Sequence, residues 1–350
     1  MNTNHYLSFV LLIFLSITIV ACNADLFHTE DPFLICKAGD FSCEYEHNVP
    51  GFVTIAKGSE RQHFILTENG LKKSKIEEGE PLAYNPKNDL ALVKETTDSG
   101  IEITIINTGT GKTVSSEIKI PKFEKEHKEE NEDFSRLTDP SVSSACLTDN
   151  GTAVLLVTYE QLYNYSKELN FIFVYEKGKA KNIKKYAFRN STNIDETTAE
   201  EDEIPGWSED SPLEIQCGKD GSIYLLTAKI RRSDFALKSF RPVYNLDRVN
   251  LKTGKTEFTN IAFIAFDRLH SSYYSEKEKK IYNFLNDTES NEKAILRILE
   301  PGEYEIPEVP VEKEDGSLLF SETPDGKILV FFVKNRKNSE EEQRLELLDL

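Results

Sequence analysis

The residues of this chain that could do chemistry lack the spacing that chemistry needs. Asn107-Thr108-Gly109-Thr110-Gly111-Lys112-Thr113 ends like a phosphate-cradling loop, in which backbone N–H groups and a lysine hold phosphate oxygens. That loop needs a glycine five residues before Gly111, where Ile106 stands, and NLKTGKT at 250–256 shows the same hairpin chemistry. Phosphate binding is therefore not expected. The six histidines (His5, His28, His47, His63, His127, His270) include no pair at metal-ligand spacing. His28, Glu30 and Asp31 could offer ligands, but they follow the leader directly, where a solvated tether is expected. A glycosidase needs two carboxylates across a cleft, and 60 Asp and Glu residues single out no pair. No catalytic residue, metal or cofactor is nominated, and the reading leans away from an enzyme.

Recognition chemistry is better represented. Segment 189–212 is strongly acidic and carries Trp207, the only tryptophan; segment 231–243 answers it with Arg231, Arg232, Phe235, Phe240 and Arg241. Tyr159, Tyr163 and Tyr165 crowd a third segment, 159–169. Aromatics beside arginine anchor many interfaces, so these nine residues are the candidate binding face for a protein or glycan partner. The acidic segment lacks the D-x-[DN]-x-[DN]-G spacing of a calcium loop. A net charge of −18 opposes nucleic acid and anionic membrane alike.

The elements that must position these residues read as strands joined by turns. Apolar segments such as TAVLLVTY (152–159), NFIFVYE (170–176) and KILVFFVK (327–334) are short, β-branched or aromatic, and bounded by Gly, Asp or Asn. Two turn types alternate. One is a polar or Asp-Gly turn before a strong strand, as in ACLTDNGTAVLLV and LFSETPDGKILVFF; the other is a glycine hairpin at Gly70, Gly111, Gly178, Gly254 or Gly302. Each pair of turns marks a four-stranded antiparallel unit. The spacing resembles that of bacterial β-propellers whose repeats carry xDGxhhhh followed by hhxxxTGK, without the Trp-Asp signature of WD repeats or the double glycine of kelch repeats. The resemblance covers most of residues 51–350 and implies an all-β propeller, with no activity attached.

Units are expected near 51–78, 80–122, 141–188, 211–264, 268–309 and 316–350, making six four-stranded blades, with five or seven blades or a pair of β-sandwiches as alternatives. The last unit runs out before its fourth strand, so a segment from about residues 26–40 is expected to close the ring, removing exposed sheet edges. Loops 123–140, 159–169, 189–212 and 231–243 share one face. The tight turns lie opposite.

Residues 6–20 form one apolar run of signal-peptide length, too short for a membrane span. Ile19-Val20-Ala21-Cys22 resembles the lipobox of bacterial lipoproteins, which implies lipidation of Cys22; the alternative is cleavage after Ala24. With Cys22 set aside, Cys36, Cys43, Cys146 and Cys217 remain, an even set suited to two disulfides in an oxidising compartment. Cys36 with Cys43 staples a short loop. Cys146 with Cys217 would bridge neighbouring innermost strands, the alternative being two buried free thiols. The domain reading is thus 1–21 signal peptide, 22–50 tether and ring-closing segment, and 51–350 propeller.

The function expected is an exported binding or envelope-assembly module, held at the cell envelope through its lipid alone. The alternatives are an extracytoplasmic propeller hydrolase acting on glycans or peptides, and a secreted eukaryotic glycoprotein, for which Asn150, Asn164, Asn190 and Asn286 are sequon asparagines.

Overall fold

The computed structural model describes residues 31–350 except 48, 98–99, 116–117, 121–139, 161–166, 177–178, 192–210, 231–241, 254, 265–267, 287–292, 301–307 and 339. The leader and Cys22 lie outside the described residues. Gly178, Gly254 and Gly302 do as well.

Local alternation and turn chemistry give strands almost everywhere. The first is β1 (Leu34–Cys36). Sheet one holds β2 (Cys43–Glu46), β3 (Phe52–Lys57), β4 (Glu60–Thr67) and β5 (Gly70–Lys73). Sheet two holds β6 (Glu80–Asn85), β7 (Leu90–Thr97), β8 (Gly100–Asn107) and β9 (Ile118–Lys119). In sheet three are β10 (Ser141–Leu147), β11 (Ala153–Glu160), β12 (Lys167–Glu176) and β13 (Lys179–Ser191). Sheet four comprises β14 (Ser211–Cys217), β15 (Ser222–Ile230), β16 (Pro242–Asn250) and β17 (Thr256–Ile264). Sheet five comprises β18 (Arg268–Ser275), β19 (Lys280–Asn286), β20 (Lys293–Leu299) and β21 (Glu308–Glu314). The last sheet takes β22 (Gly316–Glu322), β23 (Ile328–Lys334) and β24 (Gln343–Leu347) from the C-terminal end and β1 from the other. All neighbouring strands pair antiparallel, and the order within each sheet is the order in the chain, except where β1 follows β24.

The second strand of a sheet is the one whose sequence can run apolar without a break, as in β11. Along β11, Leu155 and Val157 pack against Leu92, Ile103 and Ile105 of sheet two, while Val154 and Leu156 pack against Ile223, Leu225 and Val249 of sheet four. A strand buried on both faces needs apolar residues at odd and even positions alike. The same division recurs around the molecule. Among the described residues six apolar clusters each join one sheet to the next, and one of them joins the last sheet to the first through Leu319, Phe331 and Leu345 against Val53, Ile55 and Phe64. Consecutive up-and-down sheets packed face to face and closed on themselves make the chain a β-propeller.

Closure happens where the sequence places it, with one shift of boundary. β1 pairs with β24 through Leu34↔Arg344 and Cys36↔Gln343, and Asp31 forms an ion pair with Arg344. The first sheet begins at Cys43, inside the segment read as tether, because β2 pairs with β3 through Cys43↔Lys57 to Glu46↔Thr54. Cys36 and Cys43, bonded with Cα atoms 5.8 Å apart, therefore link the outer strand of the last sheet to the inner strand of the first. Gly70 lets the chain pass: its φ is +93°, its Cβ would stand 2.5 Å from the Pro32 carbonyl oxygen, and Leu71 N–H donates to that same oxygen at 2.7 Å.

Candidate functional site in the central cavity

Inner strands of adjacent sheets are not paired in a ladder, so their side chains must satisfy the backbone between them. Gln216 on β14 does this twice, donating from Nε2 to the Tyr274 carbonyl at 2.7 Å and accepting from Tyr274 N–H at 2.9 Å. Ser144 Oγ on β10 accepts from Ile215 N–H at 3.0 Å, and Asn85 Nδ2 on β6 donates to the Leu147 carbonyl at 3.2 Å. His47 accepts at Nε2 from Phe320 N–H at 3.3 Å, with Nδ1 2.7 Å from the Phe52 carbonyl oxygen. Cys146 and Cys217, disulfide-bonded with Cα atoms 5.4 Å apart, tie β10 to β14 covalently.

These strands enclose a cavity of about 510 Å³, lined by the inner strands of five sheets and by His47, Val49 and Pro50 of the β2–β3 connection in the first. It extends to the tight turns that follow the inner strands, through Lys87, Asp149, Lys219, Glu276 and Pro324. Three carboxylates on its wall are held by neutral donors. Glu214 accepts from Ser271 Oγ at 3.1 Å and from Ser272 N–H at 3.3 Å; Glu276 accepts from Tyr224 OH at 2.9 Å and Lys219 N–H at 3.1 Å; Glu322 accepts from Tyr273 OH at 2.7 Å. Burial among protein atoms pushes the Glu214 carboxyl up to about 7, outweighing the serine hydrogen bonds that favour its charged form. Glu322 is raised for the same reason, and Tyr273 is raised by burial and by the carboxylates around it, Glu322 first. Asp149 goes the other way: burial would raise it, but hydrogen bonds from Asn85 and Lys87 and the lysine charge bring it below the usual range.

Glu214 makes stability depend on pH in a definite direction. A carboxyl whose folded pKa, about 7, exceeds its ordinary 4.5 favours the folded state most below pH 4.5, and that contribution is lost as pH rises through 7. Glu214→Gln is therefore expected to flatten the fall in unfolding temperature between pH 4.5 and 7 and to unfold at a higher temperature than the parent at pH 8. An unchanged profile in a pH series of thermal melts would show that the carboxyl titrates normally.

Four of the expected site residues are where the sequence puts them, as the two disulfides. Tyr159 is not on an exposed loop. It continues β11, and the strand's alternation carries it inward after Leu155 and Val157, so that it is 1% exposed and meets Phe171 edge to face at 5.6 Å. Tyr163, Tyr165, Trp207, Arg231, Arg232, Phe235, Phe240 and Arg241 lie outside the described residues. The cavity residues Glu214, Tyr273, Glu276 and Glu322 were missed. Their one signal is polarity recurring at alternate positions of an inner strand, as Glu214 and Gln216 in SPLEIQC. Among the described residues no group of three or more His, Cys, Asp and Glu side chains is arranged to hold a metal ion.

No protein-family model matches the sequence, and no curated protein does. Among solved structures the chain is similar to an endo-arabinase from Bacteroides thetaiotaomicron VPI-5482, with a TM-score of 0.38 and 11% identity over 78% of this chain and 93% of that one. An oligogalacturonate lyase in complex with manganese gives 0.35 and 11%, over 90% and 75% of the two chains. The WD40 domain of Toxoplasma gondii coronin gives 0.37 and 8%, over 91% and 85%. Strand order and closure by β1 define the propeller independently of these likenesses.

Proposed function

We propose that this protein is an extracytoplasmic propeller that binds a small polar ligand in its central cavity. The observation that carries this reading is the cavity itself: about 510 Å³, within the range of small-molecule sites, with acidic and phenolic groups converging on it from different sheets. The two disulfides support residence in an oxidising compartment. Among the described residues no helix is long and apolar enough to cross a membrane, and attachment through a lipid on Cys22 belongs to the same proposal.

The test is a thermal-shift panel of sugars, amino acids and amines against the parent and Ser143→Trp. Ser143 is exposed on the cavity wall, so the indole is expected to intrude on the cavity and reduce or abolish every stabilisation the panel gives. Stabilisation that it leaves unchanged would place the ligand elsewhere and overturn the reading. A second reading, hydrolysis, is favoured by Glu214 alone, since a carboxyl near 7 holds a proton at neutral pH as a general acid must. Loss of chromogenic-substrate turnover in Glu214→Gln with retained binding would support it.

A further inference from the structure

We infer that the ligand of the central cavity is an organic cation, a compound carrying an amine or quaternary ammonium group. This rests on the cavity being the binding site and follows from the charges on its wall. Two of the lining carboxylates already hold cations: Glu80 pairs with Lys94 at 2.7 Å and Asp149 with Lys87 at 2.7 Å. Glu214, Glu276 and Glu322 do not. Their hydrogen-bond donors are serine and tyrosine hydroxyls and backbone N–H groups, which satisfy oxygen lone pairs but bring no positive charge.

The remaining lysine of the wall is Lys219. Its backbone N–H serves Glu276, but among the described residues its ammonium has no carboxylate within ion-pair distance. It acts on Glu322 and Asp149 only through space. With Glu214 protonated and Glu80 and Asp149 paired, Glu276 and Glu322 face only Lys219, so among the described residues the wall carries more negative than positive charge in a site where desolvation makes each uncompensated charge costly. Tyr273, only half-buried, adds its ring and hydroxyl beside Glu322, and an ammonium group set against carboxylates and a phenol ring is favoured by both. A neutral polyol would satisfy hydrogen bonds and leave the charge in place.

Calorimetric titration of the protein, with both disulfides formed, decides this. The probes are choline and 1,5-diaminopentane, with their neutral counterparts 3,3-dimethyl-1-butanol and 1,5-pentanediol, and maltotriose. Each amine is expected to bind at least about tenfold more tightly than its counterpart. Glu276→Gln and Glu322→Gln, isosteric changes whose folding is checked by circular dichroism, are expected to remove most of that preference while leaving any maltotriose binding unchanged. Equal affinity for amine and counterpart, or a preference unaffected by both variants, overturns the cation. Maltotriose binding that Ser143→Trp abolishes, without amine binding, overturns the cation and leaves the cavity as the site. If neither these probes nor the wider panel bind, both inferences fall.

Discussion

Replacing Cys146 and Cys217 together by alanine is expected to lower the unfolding free energy by about 4 kcal/mol. The bridge spans 71 residues, and in the chain-entropy account the stabilisation from a cross-link grows with the logarithm of the loop it closes. The same account assigns about 2.5 kcal/mol to the Cys36–Cys43 link, which spans only 7 residues. Denaturant unfolding of the two double variants under non-reducing conditions measures both. Equal losses would show that strain or local packing, rather than loop closure, sets the contribution. The bridge also ties two inner strands that share no ladder, so its removal is expected to loosen the cavity wall at Ser144 and Ile215, next to Glu214.

Phe331→Ala is expected to cost about 3–5 kcal/mol. Phe331 is 0% exposed in β23 and belongs to the cluster that spans the seam between the last sheet and the first, with Ile35, Val53 and Phe64. Deleting its ring opens a void between two sheets already fixed to one another by the Cys36–Cys43 bond and by backbone hydrogen bonds such as Gly51 N–H to the Phe320 carbonyl at 2.9 Å, so the site has little means to collapse. Denaturant titration gives the cost. Limited proteolysis is expected to show faster cutting near Lys37, since β1 is held on its apolar face by this cluster. A loss below about 1 kcal/mol would mean that the seam repacks.

The fold was legible because propeller grammar is local. Inter-sheet strands are apolar over most of their length, as in Ala153-Val154-Leu155-Leu156-Val157, and polar turns bound them, so unit length and order follow from the residues. The fourth strand of the last sheet was legible as well, since the segment expected to close the ring, about residues 26–40, contains β1, which pairs with β24. The cavity was not. Glu214, Glu276 and Glu322 come from three places in the sequence, and only ring geometry separates them from the other acidic residues. Tyr159 misled for a related reason: a tyrosine at the edge of an apolar run looks like a loop anchor until register shows which face it takes. The boundary at Cys43 was missed because Glu44 and Glu46, exposed on the inner strand β2, read as tether.

The pairing of Leu34 with Arg344 joins residues more than three hundred positions apart. Among the described residues every other ladder connects strands that are neighbours in the chain. Folding should therefore divide into fast, local assembly of individual sheets and one slow event, the search by which β1 finds the edge of β24. Until that search ends, β24 presents an unpaired backbone edge, and the chain is most vulnerable to joining with another copy of itself.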